Sequence, residues 1–438
     1  MTKIKSEQMA TILAYTSPAR SHLFPLMPVL DELARRGHRI VLRTLASQVQ
    51  VGSERGFDAG PVSPAVEALE HTDWRARIAL QSLRMNAEVF CARGAHDGPD
   101  LQRALDEVRP DAALVDYNCW GALMAAEAWG GPWATFCPYP LPLPSRDAPP
   151  YGPGLAPARG APGRARDRFM RPLISVILER QIRPALNRLR RQVGLDRLDS
   201  AQEWFGQPPL MLYMSAEPFE YPRRDWPANV VMIGPCAWDP PAKAPDWLRR
   251  TTRPIVLVNT STEFQDDGGL VRVALEALAE EPVCVVATQP TGELAGLPRM
   301  PANARVERFL PHAAVLERAV CAVTHGGMGS TQKALAYGVP VCAVPFGRDQ
   351  FEVARRVEIA CAGTRLPARR LRPDRLRYKV REAIDLAAGA RRIAAAFAAA
   401  GGPRAGADAF EARLLHRGAI ASERSAAAGG GDAAAIRA

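Results

Sequence analysis

The tightest constraint on the fold lies between Val323 and Gln350. There "VTHGGMGSTQKALAYGVPVCAVPFGRDQ" passes from an apolar burst through a glycine-rich turn into a helix-like segment and out to a second apolar burst. "AVCAVT" and "VPVCAVP" are short, valine-rich and bounded by Gly or Pro, the pattern of strands buried on both faces of a parallel sheet. Ser330 to Tyr337 suits one helix closed by Gly338. A strand, a glycine turn and a helix in this order bring unobstructed backbone N–H groups and the positive end of the helix dipole to one point. An anion fits there, above all a phosphate.

The same alternation runs through the chain. "TILAYTS", "RIVLRTL", "DAALVDY" and "PWATF" are strand-like bursts in the first half, and "LFPLMPVLDELARRG" between them repeats apolar residues every three to four positions. "PIVLVNTS", "PVCVVAT", "AVCAVTHGG" and "VPVCAVP" follow in the second. Two doubly wound α/β domains in tandem account for this, and 438 residues suffice for two sizeable cores. The boundaries expected are 1–232 and 255–418. Between them Ile233 to Pro254, "IGPCAWDPPAKAPDWLRRTTRP", reads as a linker. Residues 419–438 are low-complexity and read as a disordered tail. Pro138 to Gly163 is too dense in Pro and Gly for a helix or central strand, and reads as a long loop near the first domain's strand ends.

Several classes are excluded. No apolar run approaches the roughly 18 to 20 residues that span a bilayer, and the N-terminal run lacks a small-residue cleavage site, so a cytoplasmic protein is expected. The eight cysteines form no C-x-x-C pair and suit reduced, buried thiols. A formal charge of +10 comes without any nucleic-acid module signature, so no nucleic-acid partner is expected. The charge is concentrated: Arg159 to Arg191 holds ten arginines against Asp167 and Glu179, on apolar residues at roughly helical spacing. That segment reads as a solvated helical face or as a peripheral contact with an anionic membrane.

His22 follows the first strand-like run and precedes a helix-like one, and Asp116 ends another strand-like run. In an open α/β sheet both fall at the mouth where ligands sit. Alone, His22 is an ordinary loop histidine and Asp116 a helix N-cap. Together they suggest a base oriented by a carboxylate, which can activate a hydroxyl.

With these residues in view, the chain resembles the family 1 nucleotide-sugar glycosyltransferases of GT-B fold, and among them the bacterial enzymes of macrolide, enediyne and glycolipid type. The resemblance runs from about Ala10 to Arg417, and "RFLPHAAVLERAVCAVTHGGMGSTQKALAYGVPVCAVPFGRDQ" follows the family's donor signature in order and spacing. It implies two Rossmann-like domains facing a cleft, the first binding a small hydrophobic acceptor and the second a UDP- or TDP-sugar. It also implies that Phe309 stacks on the nucleobase while the Leu310 backbone reads its edge. His325, Gly326, Gly327, Gly329 and Ser330 then cradle the diphosphate with Ser261, and Asp349 and Gln350 hold the sugar hydroxyls. His22 would be the base and Asp116 its orienting carboxylate, with configuration inverted. No D-x-D occurs, so neither a metal nor another cofactor is expected.

The chain departs from the pattern at Ser21, where a glycine is usual, and at Lys333, where the family has a Glu on the ribose hydroxyls. A solvent-facing Lys333 and a Lys333 that weakens ribose reading both remain open. Two other functions stay in view, a nucleotide-sugar 2-epimerase and a non-catalytic partner of another transferase. Neither needs the His22 and Asp116 pair.

Overall fold

The computed structural model describes residues 9–76, 78–291 and 300–415 and contains two all-parallel sheets. The first uses β1 (Thr11–Tyr15), β2 (Arg39–Thr44), β3 (Asp58–Pro61), β4 (Ala112–Asp116), β5 (Trp133–Cys137), β6 (Met211–Tyr213) and β7 (Val230–Met232), in the order β3-β2-β1-β4-β5-β6-β7. The second uses β8 (Ile255–Asn259), β9 (Cys284–Thr288), β10 (Ala304–Glu307), β11 (Ala319–Thr324), β12 (Val341–Ala343) and β13 (Gly363–Arg365), in the order β10-β9-β8-β11-β12-β13. In each sheet the order reverses once, between β1 and β4 and between β8 and β11. Those two switch points are where such sheets open a crevice at their strand ends.

The expected strands all form. The apolar pattern does not reveal β3, β6, β7, β10 and β13, and the reason is physical. β3, β7, β10 and β13 are sheet edges, where "DAGP", "VVM", "ARVE" and "GTR" need no continuous apolar face. β6 lies next to an edge and is only three residues long. The eight cysteines are unpaired, and five are buried.

Three boundaries differ from the sequence reading. The Pro-rich loop ends earlier, because the helix Gly160–Gln181 starts inside it and carries Pro172 in its interior. Residues 233–254 are packed rather than loosely tethered: Ile233 and Cys236 join the first domain's core, and Leu248 joins the second's. The helix Gly402–Phe410 returns to the first domain, where Ala407 and Phe410 pack on the helix Arg20–Arg35 and Glu411 bonds Arg36 and His38. The chain beyond Gly401 thus packs on the first domain. The turn at Gly401 and Gly402, with φ of 85° and 55°, makes that return possible. The tail 419–438 lies outside the described residues.

The domains are joined by buried charge as well as by chain. Arg356, in the helix Gln350–Ile359, pairs with Glu220 of the first domain and with Glu352 one turn earlier, each at 2.8 Å. Glu352 also accepts the N–H groups of Gly152 and Gly154 from the Pro-rich loop, at 2.8 and 2.9 Å. Gly154 is required there, since its φ is 64° and a Cβ would clash with the Phe351 carbonyl oxygen.

Candidate active site

A single cleft of about 1570 Å³ runs between the two switch points. It exceeds the roughly 300–1000 Å³ of a typical one-ligand pocket, so it has room for two substrates side by side. Every site residue expected from the sequence lines it except Asp116 and Gly326. Asp116 is fully buried behind His22, and Gly326 is buried beneath the turn.

On the first domain's side, His22 sits inside the first turn of the helix Arg20–Arg35, not ahead of it, because Ala19 takes the N-cap position. Its Nδ1 meets Asp116 Oδ1 at 2.9 Å. Asp116 also accepts the backbone N–H groups of Ser17 and Asn118, each at 2.9 Å, so the carboxylate is fixed on three sides. Burial works against charge at both groups. It is outweighed by their mutual attraction and hydrogen bond, which hold the His22 imidazole above its ordinary value and the Asp116 carboxyl below its own. The other ring nitrogen, Nε2, lies 3.1 Å from Asn118 Nδ2, and Asn118 Oδ1 accepts from the Tyr139 hydroxyl at 2.7 Å.

On the second domain's side the chemistry is backbone. The helix Met328–Ala336 begins two residues before the expected Ser330, with Gly327 at its N-cap. Its first internal bond runs from Thr331 N–H to Gly327 O, which leaves the earlier N–H groups without partners inside the helix. Gly326 has φ of 84°, and a Cβ on Gly327 would strike the His325 ring. A Cβ on Gly329 would meet nothing within 4 Å, so that glycine keeps space open on the cleft side. His325 is buried, held below its ordinary value by burial, and its Nδ1 has no partner among the described residues. Asn259 Oδ1, at the end of β8, is likewise buried and unpaired among them. Phe309 is 49% exposed at the cleft, while the Leu310 side chain belongs to the core.

Comparisons with known proteins bear on the family and the fold. Residues 272–412 match the family model of the erythromycin biosynthesis protein CIII-like C-terminal domain. The 4'-demethylrebeccamycin synthase of Lentzea aerocolonigenes is 32% identical over 393 residues, spanning 86% of this chain and 92% of that protein. The chain belongs to the GT-B glycosyltransferases of natural-product biosynthesis. A PGL/p-HBAD biosynthesis rhamnosyltransferase of Mycobacterium bovis is 37% identical over 223 residues, about half of each chain. In fold, the calicheamicin glycosyltransferase CalG4 superimposes with a TM-score of 0.71 at 21% identity, covering 93% of this chain and 98% of that one. VinC, solved with DTDP, gives 0.68 at 23% identity over 93% and 100%.

Three side chains of this glycosyltransferase stand differently from what the resemblance implied. The Gln350 amide is already engaged: Oε1 accepts from the N–H groups of Phe346 and Gly347 at 2.8 and 3.0 Å, and Nε2 donates to Gln265 Oε1 at 2.6 Å. Gln350 shapes the loop that carries Asp349, whose own carboxyl is held above the usual carboxylate range by burial. The Ser261 hydroxyl accepts from Gln265 Nε2 at 2.8 Å, and its N–H donates to Asp267, which braces the loop after β8. Lys333 neither faces solvent nor stands free at the cleft. Its ammonium donates to Trp238 O and Asp239 Oδ1, each at 2.6 Å.

The sequence reading missed a contact across the cleft rim. Arg348, at φ of 52°, pairs with Asp73 of the first domain at 2.8 Å and with Glu263 at 2.9 Å. Beside it the rings of Trp74 and Phe264 meet edge to face at 5.0 Å. A left-handed arginine costs about 1–2 kcal/mol, and two partly buried ion pairs are positioned to offset it. The available signal was an arginine directly before Asp349 in a turn, a cation that needs partners.

Proposed function

We propose that this glycosyltransferase moves a sugar from a UDP- or TDP-sugar to a hydroxyl of a small hydrophobic natural product or glycolipid, inverts the anomeric configuration, and needs no metal. One observation carries the reading: a buried His22–Asp116 pair and a bare helix N-terminus face the same cleft from opposite switch points. The acceptor end is walled by Phe90, Trp120, Ile174, Ile177 and Phe205, which suits an apolar molecule. The named activities of the rebeccamycin and PGL/p-HBAD relatives, and the DTDP held by VinC, support the acceptor and donor classes.

In this mechanism His22 Nε2 takes the proton of the acceptor hydroxyl, while Asp116 holds the tautomer with the proton on Nδ1 and stabilises the imidazolium that forms. The oxygen attacks the anomeric carbon as the bond to the β-phosphate oxygen breaks on the far side, so configuration inverts. Negative charge grows on the diphosphate, beside the helix N–H groups and dipole; one such donor is worth about 3 kcal/mol. Asp349 accepts from the sugar's hydroxyls and Phe309 offers a face to the base. A 2-epimerase or a non-catalytic partner would have no use for the His22–Asp116 pair.

The reading extends to location: the enzyme works in the cytoplasm against an anionic membrane. No helix among the described residues is long and apolar enough to cross one. The helix Gly160–Gln181 turns Ile174, Ile177 and Leu178 into the cleft and exposes Phe169, Leu173 and Val176, with Arg164, Arg168 and Arg180 outward and Asp167 buried. Flotation with phosphatidylglycerol vesicles at low salt, lost in Phe169→Ser/Leu173→Ser, is the expected outcome; no flotation sinks this part.

The test of the reaction is incubation with UDP-glucose, TDP-glucose and TDP-rhamnose against a phenolic acceptor such as quercetin. A glycoside with inverted configuration, formed equally in EDTA, is expected. A retained configuration, or a loss in EDTA that divalent ions restore, contradicts it.

A further inference from the structure

The chain Tyr139–Asn118–His22–Asp116 has a direction. The phenol of Tyr139 is held well above its ordinary value by burial, so it stays protonated and donates to Asn118 Oδ1. That leaves Nδ2 of the same amide facing His22 Nε2 at 3.1 Å, and an amide N–H can only donate. Nε2 therefore presents its lone pair, and the ring proton lies on Nδ1 toward Asp116 at 2.9 Å. With the amide in this orientation, the protonation state of His22 that fits its neighbours is the neutral, ready base.

The same bond occupies the lone pair that the reaction needs. Asn118 lines the cleft on the turn after β4, anchored by its own N–H to Asp116 Oδ1, and Tyr139 lines it too. A hydroxyl can reach Nε2 only by displacing the Asn118 N–H. Water is the competitor that matters in a cleft of this size, since water attacking the anomeric carbon destroys the donor. A water molecule that breaks this bond gains no further contact in return, whereas an acceptor also buries apolar surface against Tyr139 and Trp120, which line the cleft.

Resting on the transferase reading above, we propose that Asn118, locked by Tyr139, is a positioning residue that guards the lone pair of His22 and makes its use depend on a bound acceptor. On transfer the acceptor proton goes to Nε2 and the acceptor oxygen bonds to the anomeric carbon. The electron pair of the broken C–O bond leaves with the diphosphate. The amide then turns over, so that Oδ1 accepts from Nε2–H and Nδ2 donates to the Tyr139 oxygen, whose hydrogen rotates away. One side chain thus matches both protonation states of the base.

The experiment measures nucleoside diphosphate release from TDP-glucose and UDP-glucose, with and without quercetin, in wild type, Asn118→Ala, Tyr139→Phe, His22→Ala and the double variant His22→Ala/Asn118→Ala. Asn118→Ala keeps the backbone N–H that holds Asp116. The ratio of hydrolysis to transfer is expected to rise about tenfold in it, the worth of one hydrogen bond to a buried nitrogen. Tyr139→Phe is expected to give a smaller rise, and adding His22→Ala to abolish the excess hydrolysis. An unchanged ratio in both Asn118→Ala and Tyr139→Phe overturns the guard, and so does excess hydrolysis that survives His22→Ala. Wild-type transfer by His22→Ala would instead overturn the base itself, which separates failure of the reaction reading from failure of the guard. The structural alternative, an amide that merely stabilises the turn, predicts a lower melting temperature with the ratio unmoved.

Discussion

The two switch points hold chemistry of opposite kinds. At the first, between β1 and β4, the working groups are ionisable or polar side chains fixed by one another: His22, Asp116, Asn118 and Tyr139. At the second, between β8 and β11, they are backbone N–H groups exposed by glycines, and the ring beside them, His325, is held below its ordinary value by burial. The first half is therefore expected to be sensitive to single atoms and to pH, and the second to bulk. On the proposed reaction, a proton moves in one place and a charge is held in the other. This division can be broken by experiment.

The largest effect is expected at His22. General bases contribute about 100- to 10,000-fold, so His22→Ala should lower transfer by that order while leaving nucleoside diphosphate affinity near wild type by calorimetry. The pH dependence follows from the raised His22 value, which Asp116 causes against the pull of burial. The base is usable only when neutral, so transfer should climb with pH through a midpoint above 6.5, and Asp116→Asn should move that midpoint down. Stability runs the other way. The pair favours the protonated fold, so its contribution is complete below the unfolded value near 6.5 and is lost as pH rises through the folded one. Nucleotide affinity that tracked the same midpoint would mean that the two halves are not chemically separate.

The second expectation concerns the glycines. Gly327 and Gly329 are two residues apart, yet a Cβ would meet different surroundings at each. At Gly327 it would strike the His325 ring, and at Gly329 it would enter open cleft. Gly327→Val should lower the melting temperature. Gly329→Val should leave melting unchanged and weaken nucleoside diphosphate binding about tenfold or more, because the side chain fills the space of the ligand and one lost charge-assisted bond is worth at least that much. Equal affinity for wild type and Gly329→Val would remove the phosphate cradle from this turn.

What was legible in the sequence follows the same division. The proposed donor side is written in one contiguous run, because a strand, a turn and a helix start need neighbouring residues. His22 and Asp116 lie 94 residues apart and were legible only because one follows a strand-like burst and the other ends one. The contacts that were missed join distant segments through the cleft: Arg348 with Asp73, 275 positions away, Glu352 with Gly152 and Gly154, and Lys333 with Asp239. No local pattern encodes such pairs. Composition overstates the basic segment for a related reason. Arg190 is engaged with Glu127, Arg166 with Asp167 and Arg171 with backbone carbonyls, leaving a narrower cationic face than the count of arginines suggests.

The smallest expected effect lies at Lys333, where the halves meet through the linker. Its ammonium and the Asp239 carboxylate form a partly buried pair, and Asp239 Oδ2 also accepts the N–H of Ala313 at the start of the helix His312–Leu316. Asp239 itself lines the cleft. A carboxylate thus lines the cleft beside Lys333, carried by the linker and held by the lysine. Lys333→Glu would set two carboxylates against each other, and Lys333→Glu/Asp239→Lys would restore the pair with its polarity exchanged. The single variant should lose stability and nucleotide affinity by a few-fold, and the double variant should recover most of the stability, since a broken buried pair costs more than an exchanged one. The kcat/KM ratio between UDP- and TDP-forms of the same sugar then decides what the pair does. A ratio that shifts in the double variant assigns ribose reading to the polarity of this pair. A ratio that stays at wild type while stability recovers confines Lys333 and Asp239 to holding the linker against the second domain.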